Sequence, residues 1–396
     1  MARFHVGHAA HPDWRMALSL ADARLRAQAD AAPGPAPTLG WCYFTDAYAP
    51  QAEALLAELQ TRWPGVTWVG CVGFGVAADA TEVIDEPALV LMLAPLPRSR
   101  FHVFSGAQPL PPGLVQTALV HADPNLPDLG ELVAELGQRT GGARLFGGLA
   151  WSRTGVVQLA GGLCRGGMSG VGFTREVGLL TRVTQGCRPI GPAREITAAM
   201  GNLVLALDGL PALPQLLADL GLDNLDQPRR AMPKLRATLV GLGAGAGSLF
   251  DRGGHFGDEA MLRPLVGVDP GREAVAVGER VAVGMQLGFA QRDADSARRD
   301  LVRICSEIRE ELADPGAAPG APAGPQAVVP RTIAGALYIS CAGRGGSFFG
   351  GPSAELQLLQ HALGGVPLVG FFAAGEIAGA RLHSHTGLLA VFTAPG

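Results

Sequence analysis

Ala336-Leu-Tyr-Ile-Ser-Cys341 runs straight into Ala342-Gly-Arg-Gly-Gly-Ser-Phe-Phe-Gly-Gly351, and this junction decides how the chain is read. The first six residues are apolar, partly β-branched or aromatic, and have the length of a buried strand. The glycines make a loop. Pro352 suits the first turn of a helix, and Leu356, Leu359, Gln360 and Leu363 recur at helical spacing until Gly364-Gly365 stops it. Val366-Pro-Leu-Val-Gly-Phe-Phe372 reads as a second strand, broken by Ala373-Ala-Gly-Glu376. His383 and His385 follow, and Leu388-Leu-Ala-Val-Phe392 closes the unit. Cys341, Arg344, Glu376 and His383 are therefore the polar groups expected to meet at strand ends.

The same plan occurs twice more. Trp41-Cys-Tyr-Phe44, a helix over Gln51 to Trp63, Val66-Thr-Trp-Val-Gly-Cys71 broken by Gly73-Phe-Gly75, and Ala88-Leu-Val-Leu-Met-Leu93 form one copy. Thr117 to His121, Pro127 to Gln138, Ala143-Arg-Leu-Phe-Gly147 and Gly170-Val-Gly-Phe173 form another. Such a strand-helix-strand-strand unit cannot bury both faces alone, so its sheets must pack on neighbouring copies or on its own helices. The expected fold is α/β, with an α+β tendency: layered mixed β-sheets with flanking helices.

Between and around the copies, His11-Pro-Asp-Trp14 starts a helix to about Ala32, and Pro33-Gly-Pro-Ala-Pro37 is a linker. Leu180 to Gln185 alternates like a strand, and Gly186-Cys-Arg-Pro-Ile-Gly-Pro192 reads as a rigid connection. Met200 to Leu207 reads as a strand, Leu213 to Leu220 as a helix, Asp223 to Lys234 is polar and proline-containing, and Leu235 to Leu242 reads as a strand. Ala274 to Val283 reads as a hairpin turning at Gly278-Glu279. Asp293 or Asp295 caps a helix to about Leu312, and Asp314 to Pro330, alanine, glycine and proline, reads as a mobile loop. A boundary between about Gly186 and Lys234 divides the chain into halves of residues 1–200 and 201–396.

The 396 residues are 48% hydrophobic and 17% charged, ample for two cores. A net charge of −4 with no basic run gives no footprint for nucleic acid. Of the 31 lysines and arginines only Lys234 is a lysine, a bias expected of a GC-rich genome. No signal-peptide core and no long apolar span are found, so the expected location is the cytoplasm, without membrane attachment. The six cysteines form no C-x-x-C pair, which predicts free thiols and neither a zinc site nor a disulfide framework.

Each candidate group has a functional and a plain reading. Gly343-Arg-Gly-Gly346 could cradle an anion, but it lacks the full G-x-G-x-x-G spacing and a Walker lysine. As a tight turn it could present Arg344 bidentately to a ligand carboxylate; the plain alternative is a surface arginine or an internal ion pair. Glu376 at a strand break could hold an amino group or merely cap a turn. Glu355, in a helix's first turn, is explained by the helix dipole alone. His383 and His385 share a strand face without a convincing third metal ligand. Cys341 ends a strand before a glycine turn, loosely as a nucleophile elbow does, and could work with His383 as base; a buried inert cysteine is the plain alternative. No cofactor is expected.

Ser340-Cys-Ala-Gly-Arg-Gly345, Glu355, Gly370-Phe-Phe-Ala-Ala-Gly-Glu-Ile377 and His383 resemble the core of FIST C domains, a family named for F-box and intracellular signal transduction. Met261-Leu-Arg-Pro-Leu-Val-Gly-Val-Asp269 and Gly186-Cys-Arg-Pro-Ile-Gly191 extend the likeness upstream to a FIST N partner. The resemblance implies a sensory protein for a small ligand such as an amino acid, acting through an unidentified signalling protein. The implied site is Cys341, Gly343, Arg344, Gly345, Glu355, Gly375, Glu376 and His383. Arg344 would take a carboxylate, Glu376 an ammonium, Gly343 and Gly345 would offer backbone groups, and His383 would line the rim. The N-terminal half departs from the family pattern: Gly70-Cys-Val-Gly-Phe-Gly-Val76 stands where a serine or threonine and a glutamate are expected. A cysteine-dependent enzyme and a non-catalytic scaffold are the alternatives.

Overall fold

The computed structural model describes residues 3–243, 249–250, 256, 260–313 and 330–395. They fall into two compact units. One holds the chain up to Thr184, then Arg298–Leu382 and the residues from Thr386; the other holds Gln185–Ala297 and His383–His385.

The first unit contains the three copies. The first has β1 (His5–Ala10), α1 (Trp14–Ala31), β2 (Leu39–Thr45), α2 (Ala52–Arg62), β3 (Thr67–Gly73), β4 (Gly75–Ala78), β5 (Thr81–Ile84) and β6 (Ala88–Ala94). The second has β7 (Phe101–Phe104), β8 (Thr117–Ala122), α3 (Leu129–Arg139), β9 (Arg144–Leu149), β10 (Val157–Ala160), β11 (Leu163–Arg165) and β12 (Met168–Phe173).

The third copy opens with β13 (Gly178–Gln185) and is interrupted by the second unit. That unit has β14 (Cys187–Pro189), β15 (Arg194–Met200), β16 (Leu203–Leu207), β17 (Leu210–Pro211), α4 (Ala212–Asp219), α5 (Pro228–Arg236), β18 (Thr238–Gly243), β19 (Met261–Asp269), β20 (Ala274–Val277) and β21 (Gln286–Arg292). The chain then resumes through α6 (Ala294–Ala313), β22 (Arg331–Cys341), α7 (Ala354–Leu363), β23 (Leu368–Ala373), β24 (Glu376–Ala378), β25 (Arg381–His383) and β26 (Thr386–Pro395).

Each copy builds one mixed sheet around a parallel pair joined by a helix: β2 with β3, β8 with β9, β22 with β23. The closing strand runs antiparallel beside the first of the pair. The next hairpin does not stay at home. Hairpin β4–β5 adds to the third copy's sheet through β23, β24–β25 to the second copy's through β9, and β10–β11 to the first copy's through β3. Three sheets thus exchange arms in a closed cycle, and each arm covers an edge that would otherwise offer unpaired backbone groups. At one equivalent point the parallel strands approach so closely that only glycine fits. A Cβ on Gly70, Gly147 or Gly370 would lie 1.9, 1.9 or 1.6 Å from the carbonyl oxygen of Cys42, Val120 or Tyr338.

The residues after those carbonyls, Tyr43, His121 and Ile339, are fully buried. Tyr43 Oη and His121 Nε2 share a hydrogen bond of 3.2 Å, and Phe371 stacks on Tyr43. Phe4, Trp41, Phe173 and Phe392 form a second aromatic knot. The second unit is a closed antiparallel barrel in the order β21-β15-β16-β20-β19-β18, with β18 returning to β21. Its core is aliphatic, with Phe289 among Ile196, Leu216, Val240 and Val275.

The α/β class and the three copies agree with the sequence reading. Several details differ. The strand read over Met200 to Leu207 is β16 from Leu203 onward, while Met200 ends β15 and Gly201, with φ of 65°, turns the chain between them. The polar stretch from Asp223 contains α5, with Pro228 at its start where a missing N–H is harmless. Beyond Val277 no second hairpin strand forms; β20 pairs with β16 and β19 instead. β1, β10, β11 and β21 had no clear sequence signal. The loop expected over Asp314 to Pro330 lies outside the described residues, save Pro330.

Candidate functional site

β22 puts Tyr338 and Ser340 on one face through the two-residue period of a strand, and the turn after Cys341 adds Arg344 to them. Tyr338 and Ser340 face α7, and both donate to Glu355: Tyr338 Oη to Oε1 at 2.7 Å and Ser340 Oγ to Oε2 at 3.0 Å. Arg344, in the turn beyond Cys341, donates to the same Oε1 from Nε at 2.8 Å and from Nη2 at 2.6 Å, and Phe349 covers its guanidinium. Arg344 is 1% exposed and Glu355 likewise 1%. Burial alone would lower the Arg344 value, but the Glu355 carboxylate outweighs it and keeps the guanidinium charged. Burial, then Glu355, pushes the Tyr338 phenol up.

The guanidinium fork expected to take a ligand carboxylate bidentately is thus closed on Glu355. Of its nitrogens only Nη1 lacks a partner. Glu355 in turn is a partner of Arg344 rather than a group presented to a ligand.

Glu376 opens β24. Its Oε2 accepts from Thr386 N–H at 3.2 Å and from Thr386 Oγ1–H at 2.6 Å, while Oε1 is buried without a partner. Burial pushes its carboxyl up to about 8, against the Thr386 bonds, the Arg344 charge and a hydrogen bond with the Cys341 thiol. Glu376 is therefore one partner of the Cys341 thiol. Gly375 spends its carbonyl on Leu149 N–H in strand pairing. Gly345 packs its Cα on β5, where a Cβ would lie 2.5 Å from Ile84 Cδ1, and Gly343 is exposed. His383 ends β25, is buried, and clusters with the second unit.

The anion cradle read in the glycine loop exists, and the chain fills it. Glu82 Oε1, from β5, accepts from Gly346 N–H at 3.1 Å and from Ser353 N–H at 2.8 Å. Among the described residues no three His, Cys, Asp or Glu side chains gather as a metal site. A cavity of about 980 Å³ opens at the other end of the strands, lined by Phe4, Trp63, Asp79 and Pro367 among others, and none of the predicted residues touches it. Its walls are mainly apolar, so the charged cluster at the carboxyl ends remains the stronger candidate.

The repeats allow a comparison within the chain. Ile377, Ala77 and Leu159 occupy the same register position, opposite Gly147, Gly370 and Gly70. The residues before them, Glu376, Val76 and Gln158, are therefore equivalent. Val76 is apolar, and Gln158 is fully satisfied: it accepts from Ser169 Oγ at 2.6 Å and donates to Gly167 O at 3.1 Å. Only the third copy places an ionisable group there, and only there does a polar atom stay unpaired. Val76 closes the N-terminal stretch, Gly70 to Val76, in which the family resemblance leads one to expect a glutamate.

A FIST N domain matches residues 38–210 and a FIST C domain matches residues 212–379. The chain belongs to the FIST family. FIST domains are associated with signal transduction and small-ligand sensing. An uncharacterized protein of Mycobacterium tuberculosis is 30% identical over 98% of this chain and 99% of its own length. One of Mycobacterium bovis is 32% identical over 98% of both. Among solved structures, T. maritima PurL complexed with ATP aligns with 99% of this FIST protein and 72% of that chain, at 12% identity and a TM-score of 0.22, too low to carry an argument.

Sequence reasoning missed Tyr338, Ser340, Phe349, Thr386 and Glu82. Tyr338 and Ser340 were legible in principle, since two polar residues on one face of a buried strand require a partner. Glu82 was not, because 264 residues separate it from Gly346.

Proposed function

We propose that this FIST protein is a cytoplasmic, bacterial sensor whose third repeat binds a small polar metabolite, an amino acid or a close relative, and signals through a partner protein. One observation carries the reading: Arg344 Nη1 and Glu376 Oε1, a cationic donor and a carboxyl oxygen, are both buried and both unpartnered. An unpaired buried polar atom costs about 1–3 kcal/mol, and more when charged. The indole N–H groups of Trp41 and Trp68 are also unpaired, but they are neutral. A ligand that accepts from Arg344 Nη1 and donates to Glu376 Oε1 satisfies both atoms at once, as the carboxylate and ammonium of an amino acid do. The carboxylate meets one guanidinium nitrogen, not the whole fork.

The test is a thermal-shift panel of amino acids, small amines and dicarboxylates at millimolar concentration. A ligand at one hundred times its Kd stabilises the fold by about 2.7 kcal/mol, so weak binding is visible. Glu376→Gln rebuilds the neutral amide found in the second repeat. It should abolish the shift and gain unliganded stability over wild type progressively from pH 4.5 to 8, the range in which wild type must take up a proton on Glu376 to fold, with the full gain kept above pH 8. A panel without any shift would refute the reading. The second reading, an enzyme, has one observation in its favour: the Cys341 thiol contacts a carboxyl held near neutrality, which could act as its base in place of His383. Fast alkylation of native Cys341, abolished by Glu376→Gln, would favour it.

A further inference from the structure

The two residues that follow Arg344 both rest on an arm that belongs to the first repeat. Gly345 packs against Ile84 of β5, and Gly346 donates its N–H to Glu82 of the same strand. The far end of the loop is tied to the same side chain. Ser353 N–H donates to Glu82 Oε1, and Ser353 Oγ accepts from Glu82 N–H at 3.0 Å. Ser353 also holds φ of 62°, which a residue with a side chain adopts only when its surroundings demand it. One carboxylate oxygen thus spans the segment from Gly346 to Ser353, which contains Phe349, the ring that covers Arg344. Ser353 is the residue before the first turn of α7, a place that favours negative charge.

We infer that Glu82 is a positioning residue for the third-repeat site: its carboxylate fills the anion seat of the glycine loop and so holds Arg344 and Phe349 in place. The inference rests on the reading of that site as the ligand site, and it makes the N-terminal half part of the site without contacting the ligand. Because β4–β5 also completes the third copy's sheet, any movement of that hairpin moves the loop.

The experiment measures alkylation of Cys341 by iodoacetamide in the full chain, by peptide mass, with buried Cys42 and Cys71 as controls for the fold. Glu82→Ala should raise the Cys341 rate at least tenfold while Cys42 and Cys71 stay slow. Glu82→Gln, which keeps the acceptor oxygen, should stay within about threefold of wild type. Acetate at 100 mM should refill the seat and slow the Glu82→Ala rate, with no effect on wild type. If Glu82→Ala also exposes Cys42 and Cys71, Glu82→Asp, shorter by one methylene, is scored in its place. A folded variant with an unchanged Cys341 rate, or no response to acetate, overturns the inference. An amino-acid panel that never shifts wild type refutes the ligand reading instead and leaves the labelling result standing.

Discussion

Acid should unfold this protein through His121 before most of its carboxylates matter. The ring is fully buried beside Tyr43 and Phe371, with Nδ1 unpartnered, and burial pushes its pKa from 6.5 down to about 3. The unfolded chain titrates near 6.5 and so binds the extra proton between the two values. Stability from this group is therefore complete above pH 6.5 and is lost as pH falls toward 3. At about 1.4 kcal/mol per pH unit, the loss is roughly 3 kcal/mol by pH 4 and roughly 4 kcal/mol at pH 3. That is a large part of the 5–15 kcal/mol typical of a folded domain. The five tryptophans, Trp14, Trp41, Trp63, Trp68 and Trp151, all lie in the first unit, so their fluorescence reports its urea unfolding. Wild type and His121→Phe should be compared at pH 7, 6, 5 and 4. Losing the Tyr43 bond shifts the variant by a constant, and carboxylate titrations cancel in the difference. Wild type should lose about 1.4 kcal/mol per pH unit more than the variant below pH 6. Parallel curves would show that His121 charges without penalty and that the centre of the three sheets is not as dry as its burial implies.

Two further outcomes follow from the fold. Glu355→Gln leaves the Arg344 charge buried without its partner and should destabilise the chain by about 3–5 kcal/mol, whereas Glu355→Leu with Arg344→Met should recover most of this in urea unfolding. Residues 1–200 expressed alone lack β23 and β24, so hairpin β4–β5 and the edge of β9 lose their partners. That fragment should self-associate in light scattering, and a cooperative monomer would contradict the role given to arm exchange.

What the residues alone determined was local and periodic. Strand and helix periods, glycine stops and the twofold recurrence of one pattern were enough to give three copies, the α/β class and the family, because these signals need only neighbours in sequence. The same reading gathered Cys341, Arg344 and Glu376 at strand ends, since parallel strands joined by one helix must end together. Only the tertiary structure decided where each hairpin goes, because an arm that pairs with another copy's edge has the same alternation as one that pairs at home. It also decided the state of the charges. Arg344 is spoken for by Glu355 and Glu82 fills the glycine loop, because a buried charge takes its nearest complement in space, and the Glu82 donors lie 264 and 271 residues away in sequence.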